Sequence, residues 1–307
     1  MQFRTRRFYR LDFFWKAATS RRTPKRNMAK KKLTLSRKST DKHLLYQWSV
    51  QDAEQETDFS IEQYKKRRRR EPKILREDFC GTALVAANWV KDHPERRAIG
   101  LDLDRPTLDW AVEHNLKPLG DDAKRVDLRE VDVRSITSPK ADIVHAMNFS
   151  YFVFFPVAEL IQYFRAVRRS LAPGGIFILD CYGGWESQQV LTEKRTVEGP
   201  EGTFGYTWHQ ADFDPITNRT LCHIHFEFKG GKRWRKAFTY DWRLYTPAEV
   251  RDALAAVGFQ NIDVFWDHEE DEDESDFRPT IRAENSAGWI AYIVADANVA
   301  ETNGKRG

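Results

Sequence analysis

Acidic side chains stand at the ends of a series of short apolar runs, and their types and order suggest a small-molecule site. "KILRED" reaches Glu77 and breaks into the turn Cys80-Gly81-Thr82. "RAIGLDLD" reaches Asp102, "RVDLREVDV" reaches Asp132, "ADIVHAMNF" reaches Asn148 and Phe149, and "IFILDCY" closes on Asp180, Cys181 and Tyr182. Ionised carboxylates only accept hydrogen bonds and repel anions. Acids in this series, with no Lys in the first turn, suit a ligand bearing hydroxyls and amines rather than phosphates. A triphosphate calls for the P-loop Lys and a Ser or Thr on magnesium, and neither is present. A pyrophosphate wants open amides at a helix start, and Glu77 beside the turn would repel it. Asp102 lies 25 residues beyond Glu77, placed to accept from ribose hydroxyls. Where nucleotide loops carry three glycines in alternation, this turn has Phe79, Gly81 and Ala83. Phe79 is expected to keep φ below zero, with its ring in the core and away from the ligand.

The elements that position these residues alternate between strand and helix from Pro72 onward, which predicts an α/β fold with a doubly wound, mostly parallel sheet. In such sheets ligands sit beyond the carboxyl ends of the strands, near the point where strand order reverses. "GTALVAANWVKDH" reads as the first crossover helix and "RPTLDWAVEHNL" as the second, with Asp104 as N-cap. "VAELIQYFRAVRRSLAPGG" is an amphipathic helix expected to stop at Gly174 and Gly175. Residues 203–245 read as three long strands of an antiparallel β-meander insert. After it come the helix "TPAEVRDALAAVGF", the strands "NIDVFWD" and "AGWIAYIVAD", and between those strands an acidic loop at 268–277. Residues 41–71 read as a helical segment whose end, Lys65 to Arg70, is a solvated helix terminus or, less simply, a phosphate contact. The main domain is placed at 72–300, with a tail at 301–307.

The insert follows the fifth strand, on the ligand side, and its aromatic load could roof the site. Alternation puts His223, His225 and Glu227 on one strand face and Ile224, Phe226 and Phe228 on the other. That polar face reads as a half-exposed strand, as a substrate face with a histidine base suited to neutral pH, or as a metal site. Ligands at i, i+2 and i+4 of one strand diverge, so no metal is expected. His223, His225 and Tyr182 are the catalytic candidates.

Composition bounds the class. No run of about 18 apolar residues occurs, so no membrane helix is expected. Cys80, Cys181 and Cys222 are far apart without metal spacing, which predicts a reduced, cytoplasmic chain. Residues 1–40 carry fourteen Lys and Arg against Asp12 alone, while the rest holds 36 basic and 45 acidic residues. The folded body is therefore mildly acidic. The leader reads as a disordered basic extension or, alternatively, as a nucleic-acid arm.

Glu77, Gly81, Asp102 and Asp132, followed by "LAPGGIFILD", resemble the class I S-adenosylmethionine-dependent methyltransferases over about residues 72–182. The resemblance implies a Rossmann-like sheet of seven strands with the last antiparallel, and S-adenosylmethionine as cofactor. It implies that Glu77 stands near the methionine amine and that Gly81, between Cys80 and Thr82, lets the backbone pass close to the cofactor. By the same likeness Asp102 binds ribose with Leu103 at the adenine, Asp132 accepts from the adenine amine beside Val133, and Asn148 and Phe149 face the methyl group. "DKHLLYQWSVQD", "REDFCGT" and "DRPTLDW" are similar to a bacterial group within this superfamily. The function implied is methyl transfer to O or N of a small-molecule acceptor. The alternatives are an RNA methyltransferase, a nicotinamide-dependent Rossmann enzyme and a non-catalytic module.

Overall fold

A computed structural model of the chain describes residues 32–91, 93–268 and 276–297. Five parallel strands, β1 (Ile74–Asp78), β2 (Arg97–Asp102), β3 (Val126–Glu130), β4 (Ala141–Ala146) and β5 (Leu171–Gly183), lie in the order β5-β4-β1-β2-β3. Strand order reverses between β1 and β4, which pair from Leu75↔Ile143 to Glu77↔His145. The crevice expected at such a switch point therefore opens above Glu77 and His145. Beyond β5 the sheet adds β12 (Trp289–Asp296), β10 (Gln260–Asp267) and, at the edge, β11 (Phe277–Pro279). β12 is antiparallel to both its neighbours, so the expected seven strands are present together with a three-residue edge.

Helices cover both faces. On one lie α2 (Ala53–Arg68) and α3 (Leu84–Lys91), burying Tyr64 and Trp89 against Leu75, Ile143 and Ile178. On the other, α5 (Val157–Ser170) and α6 (Pro247–Ala256) bury Leu160, Phe164 and Leu254 against Val144 and Phe177. α4 (Arg105–Ala111) follows β2, with Asp104 at its N-cap position and Pro106 in the first turn. α1 (Lys42–Val50) is capped by Asp41, whose Oδ1 accepts from the amides of His43 and Leu44 at 2.8 and 3.0 Å. The Thr246–Glu249 capping box starts α6.

The chain departs from the sequence-based expectation in several places. α5 ends at Ser170 rather than at the glycine pair, and Leu171 already pairs with Ala141 in the sheet. Pro173 disfavours helical geometry at Ala172, and Gly174 (φ +76°) then turns the chain. The insert is larger than residues 203–245: β6 (Leu191–Gly199), β7 (Gly202–Asp214), β8 (Arg219–Glu227) and β9 (Arg233–Arg243) form a four-stranded antiparallel sheet in sequence order. β6 is an edge strand with only Leu191 and Val197 apolar on its inner side, too few to show as alternation.

The basic extension expected through residue 40 gives way to ordered chain earlier. The amide of Thr34 donates to the Thr203 carbonyl at 2.9 Å, and Leu35 is buried against the meander core. Residues 1–31, most of the acidic loop and the tail lie outside the described residues. The run Lys65 to Arg70 is not simply solvated. Arg67 and Arg68 both pair with Asp296, Arg67 also reaches Asp263, and Arg70 pairs with Asp142. These cations fasten the end of α2 to β10, β12 and β4.

Candidate active site

The turn after β1 is built from left-handed residues in alternation: Phe79 (φ +54°), Gly81 (φ +49°) and Ala83 (φ +52°). The expectation of a negative φ at Phe79 is thus corrected. The three positions where glycines usually alternate keep the glycine conformation, although only one keeps the glycine. Phe79 holds it with its ring packed in the core, 5.7 Å from Tyr163 and 6.1 Å from Phe154, but the residue also lines the cavity described below, so the expectation that it stands clear of the ligand is met only in part.

Two carboxylates fix the turn. Asp102 accepts from the Gly81 amide (2.8 Å) through Oδ2 and from the Asp104 amide (2.9 Å) through Oδ1. Each oxygen keeps a further lone pair for a ligand hydroxyl. Glu77 accepts from the Ala86 amide at 2.8 Å, at the start of α3. Beneath the turn, Arg76 and Asp78 form a fully buried ion pair, with Arg76 Nε 2.6 Å from Asp78 Oδ1. Arg76 also donates to the carbonyls of Val133 and Ser135, tying β1 to the loop after β3. At the end of β4, Asn148 (φ +58°) and Phe149 (φ +57°) are both left-handed, and their amides donate to Asp180 at 2.7 and 2.8 Å.

These elements enclose a cavity of about 330 Å³. Of the residues expected at the site, Glu77, Cys80, Gly81, Thr82, Asp102 and Asn148 line it. Leu103 stands outside it, 66% exposed beside Asp102. Asp132 is gripped by Arg134, which donates to it from its backbone and guanidinium and holds its carboxyl below the usual range. Val133 is buried, and Phe149 packs into the core 4.7 Å from the Tyr182 ring. Tyr182 is itself buried and does not border the cavity.

His223 and His225 lie on the strand face opposite Ile224 and Phe226, away from the cavity lining, grouped with His209 at ring separations of 5.6 to 6.0 Å. His223 Nδ1 is 3.0 Å from Thr239 Oγ1, and His225 Nδ1 accepts from the Lys236 amide at 3.0 Å. Among the described residues no group of His, Cys, Asp and Glu is arranged to hold a metal ion.

Sequence reasoning missed much of the lining. Lys42, His43 and Tyr46 come from α1 and Glu56 from α2; His145 and Met147 come from the β4 end; Phe238, Tyr240 and Trp242 come from β9. The β9 aromatics were visible as a stripe, and their alternation is what brings Phe238, Tyr240 and Trp242 to one side.

The cavity is electrostatically unusual. Burial raises the Glu77 carboxyl to about 8 and Asp180 to about 7, and pushes Glu56 well above its ordinary value. Burial likewise drives His145 down to about 3, so it is neutral. Burial raises all three cysteines, Cys222 to about 12, which removes thiolate chemistry from consideration.

Comparison with known proteins agrees with this fold. A family described as a methyltransferase domain matches residues 80–177. The cypemycin N-terminal methyltransferase of a Streptomyces species is 28% identical over 124 residues, 40% of this chain and 47% of that protein, so the match spans about half of that relative's length. Among solved structures, an S-adenosylmethionine-dependent methyltransferase from Clostridium acetobutylicum superposes with a TM-score of 0.62 at 18% identity, covering 83% of this chain and 96% of that one. CalS10, an amino pentose methyltransferase from Micromonospora echinaspora, gives 0.61 at 16% identity with the same coverage of 83% and 96%.

Proposed function

We propose that the chain is a class I S-adenosylmethionine-dependent methyltransferase, and that it transfers the methyl group of S-adenosylmethionine to a nitrogen or oxygen of a small molecule. One observation carries this reading: the ends of β1, β2 and β4 deliver Glu77, Gly81, Asp102 and Asn148 to a single cavity closed by rings from β9.

The donor set fits the cofactor. A Cβ built on Gly81 would come no nearer than 4.0 Å to the surrounding protein, so the bare backbone there leaves room beside it. Glu77 and Asp102 are acceptors suited to an ammonium and to ribose hydroxyls, and both stand in the cavity wall. The exposed Leu103 side chain, beside Asp102, would cover an adenine; Asp132 and Val133, which follow β3, are not in the cavity wall. When bound, the cofactor supplies a methyl group already activated on a sulfonium. The chain's own task is then to align the acceptor and exclude water. α1 and β9 serve that task by closing the cavity with Tyr46, Phe238, Tyr240 and Trp242.

Nitrogen is the favoured acceptor atom. Two of the similar proteins are named for an amine-bearing acceptor, the N terminus of cypemycin and an amino pentose. The RNA reading loses support because Arg67, Arg68 and Arg70 are engaged within the fold. Free, buried cysteines fit the reducing cytoplasm, and no helix among the described residues is long and apolar enough to cross a membrane.

The test is incubation with methyl-labelled cofactor and a metabolite extract, followed by mass analysis. A small-molecule product carrying the label is expected. Cofactor binding with no labelled product from any extract would move the chain to the non-catalytic reading.

A further inference from the structure

The cavity holds a buried carboxyl that nothing above uses. Glu56, in the first turn of α2, is 4% exposed, accepts from the Asp52 backbone, and leaves Oε2 without a hydrogen-bond partner. His145 Nε2 is a second orphan in the same cavity, on a residue 1% exposed. Buried polar atoms are nearly always paired, so two orphans on residues that line one cavity point to a ligand that pairs them.

The surroundings say which ligand. Glu77 and Asp180 lie within electrostatic reach of Glu56, and Lys42 is the only Lys or Arg in the lining. Its ammonium is already placed 5.3 Å from the Phe238 ring centroid. An anion would find no other cation in the lining to pair with. The rings of Tyr46, Tyr240 and Trp242 border the same space, with Tyr240 and Trp242 stacked 4.4 Å apart, and their faces attract a cation. An unpaired carboxyl oxygen, neighbouring acids and aromatic faces together select a basic nitrogen that carries N–H donors.

We infer that Glu56 receives the acceptor's amine, and that this contact restricts methyl transfer to basic amines. The inference rests on the reading of the cavity as a methyl-transfer site. Carboxyl and amine share one proton. Burial beside Glu77 and Asp180 strengthens the carboxyl's hold on that proton. The N–H bond therefore breaks, an O–H bond forms at Glu56, and nitrogen keeps the electron pair that makes it a nucleophile.

The experiment divides a metabolite extract on a cation exchanger at neutral pH and offers both fractions to the full-length protein with methyl-labelled cofactor. Label is expected in the retained, amine-bearing fraction. Glu56→Gln should lower it by about 100-fold or more, as for the loss of a proton-accepting group. Glu56→Asp, which keeps the carboxyl, should recover part of it. Two readouts are independent of turnover. Calorimetric affinity for S-adenosylhomocysteine should stay within about threefold in Glu56→Gln, a difference under 1 kcal/mol. Ligand-observed NMR should show retained-fraction amines binding the S-adenosylhomocysteine complex of the parent but not of the variant. Label in the unretained fraction, undiminished turnover in Glu56→Gln, or loss of S-adenosylhomocysteine binding in that variant would each overturn the assignment. Label in neither fraction despite S-adenosylhomocysteine binding would defeat the transfer reading, and this one with it.

Discussion

The amide of Gly81 donates to Asp102 Oδ2 across 2.8 Å, locking the turn after β1 to the end of β2. One carboxylate thus shapes the glycine turn and presents its remaining lone pairs to the cavity. Asp102→Ala removes both roles. Affinity for S-adenosylhomocysteine should fall by about 2 to 4 kcal/mol, from two lost charge-assisted hydrogen bonds. Calorimetry measures this directly, and retained affinity would refute the placement of the ribose.

Gly81→Ala separates binding from folding. A Cβ at this position has room, and Phe79 and Ala83 already hold the same left-handed geometry with side chains. The stability cost should be only about 1 to 2 kcal/mol, the strain of one left-handed residue. Cofactor affinity should drop by more than that, because the methyl occupies the space where backbone and ligand meet. A melt and a calorimetric titration on the same sample compare the two losses. A larger loss of stability than of affinity would contradict the close approach.

Arg76→Met should be among the most destabilising single changes, costing about 3 to 5 kcal/mol by stranding Asp78 as an unpaired buried charge. Adding Asp78→Leu should recover part of this loss, since the uncompensated carboxylate is then gone. Urea unfolding of the parent, the single variant and the double variant measures the difference.

Stability should decline with pH. Glu77 at about 8 and Asp180 at about 7 bind protons more tightly folded than unfolded. Their contribution is complete below the unfolded carboxyl values and is lost as pH rises through 7 and 8. Asp180→Asn should flatten the slope, at the cost of a weaker grip on the amides of Asn148 and Phe149. Unfolding curves at pH 5 and pH 8 give the comparison; a parent protein more stable at pH 8 would reverse the sign.

Much of this site was legible in the sequence because strand-end residues are defined by periodicity alone. Glu77, Asp102 and Asn148 follow from where apolar runs stop, and parallel pairing then brings them together. Residues contributed across space were harder to see. Glu56 lies on α2, whose surface is polar nearly all round, so no stripe indicates which side meets the cavity. His223 and His225 illustrate the converse. Alternation separated them correctly from Ile224, but not which face of the meander closes the cavity; the rings of β9 do that. Phe79 shows a further limit, since its left-handed φ is held by Phe154 and Tyr163, contacts distant in sequence. β6 escaped notice because its inner face includes Glu193 and Arg195; Arg195 lies 4.5 Å from the Tyr206 ring.

The central claim is that this cavity holds S-adenosylmethionine and not a dinucleotide. Parallel calorimetric titrations of the full-length protein with S-adenosylhomocysteine and with NAD test it most directly. The structure predicts one-to-one binding of S-adenosylhomocysteine that Asp102→Ala weakens, and no binding of NAD. Binding of NAD with no response to S-adenosylhomocysteine would contradict it.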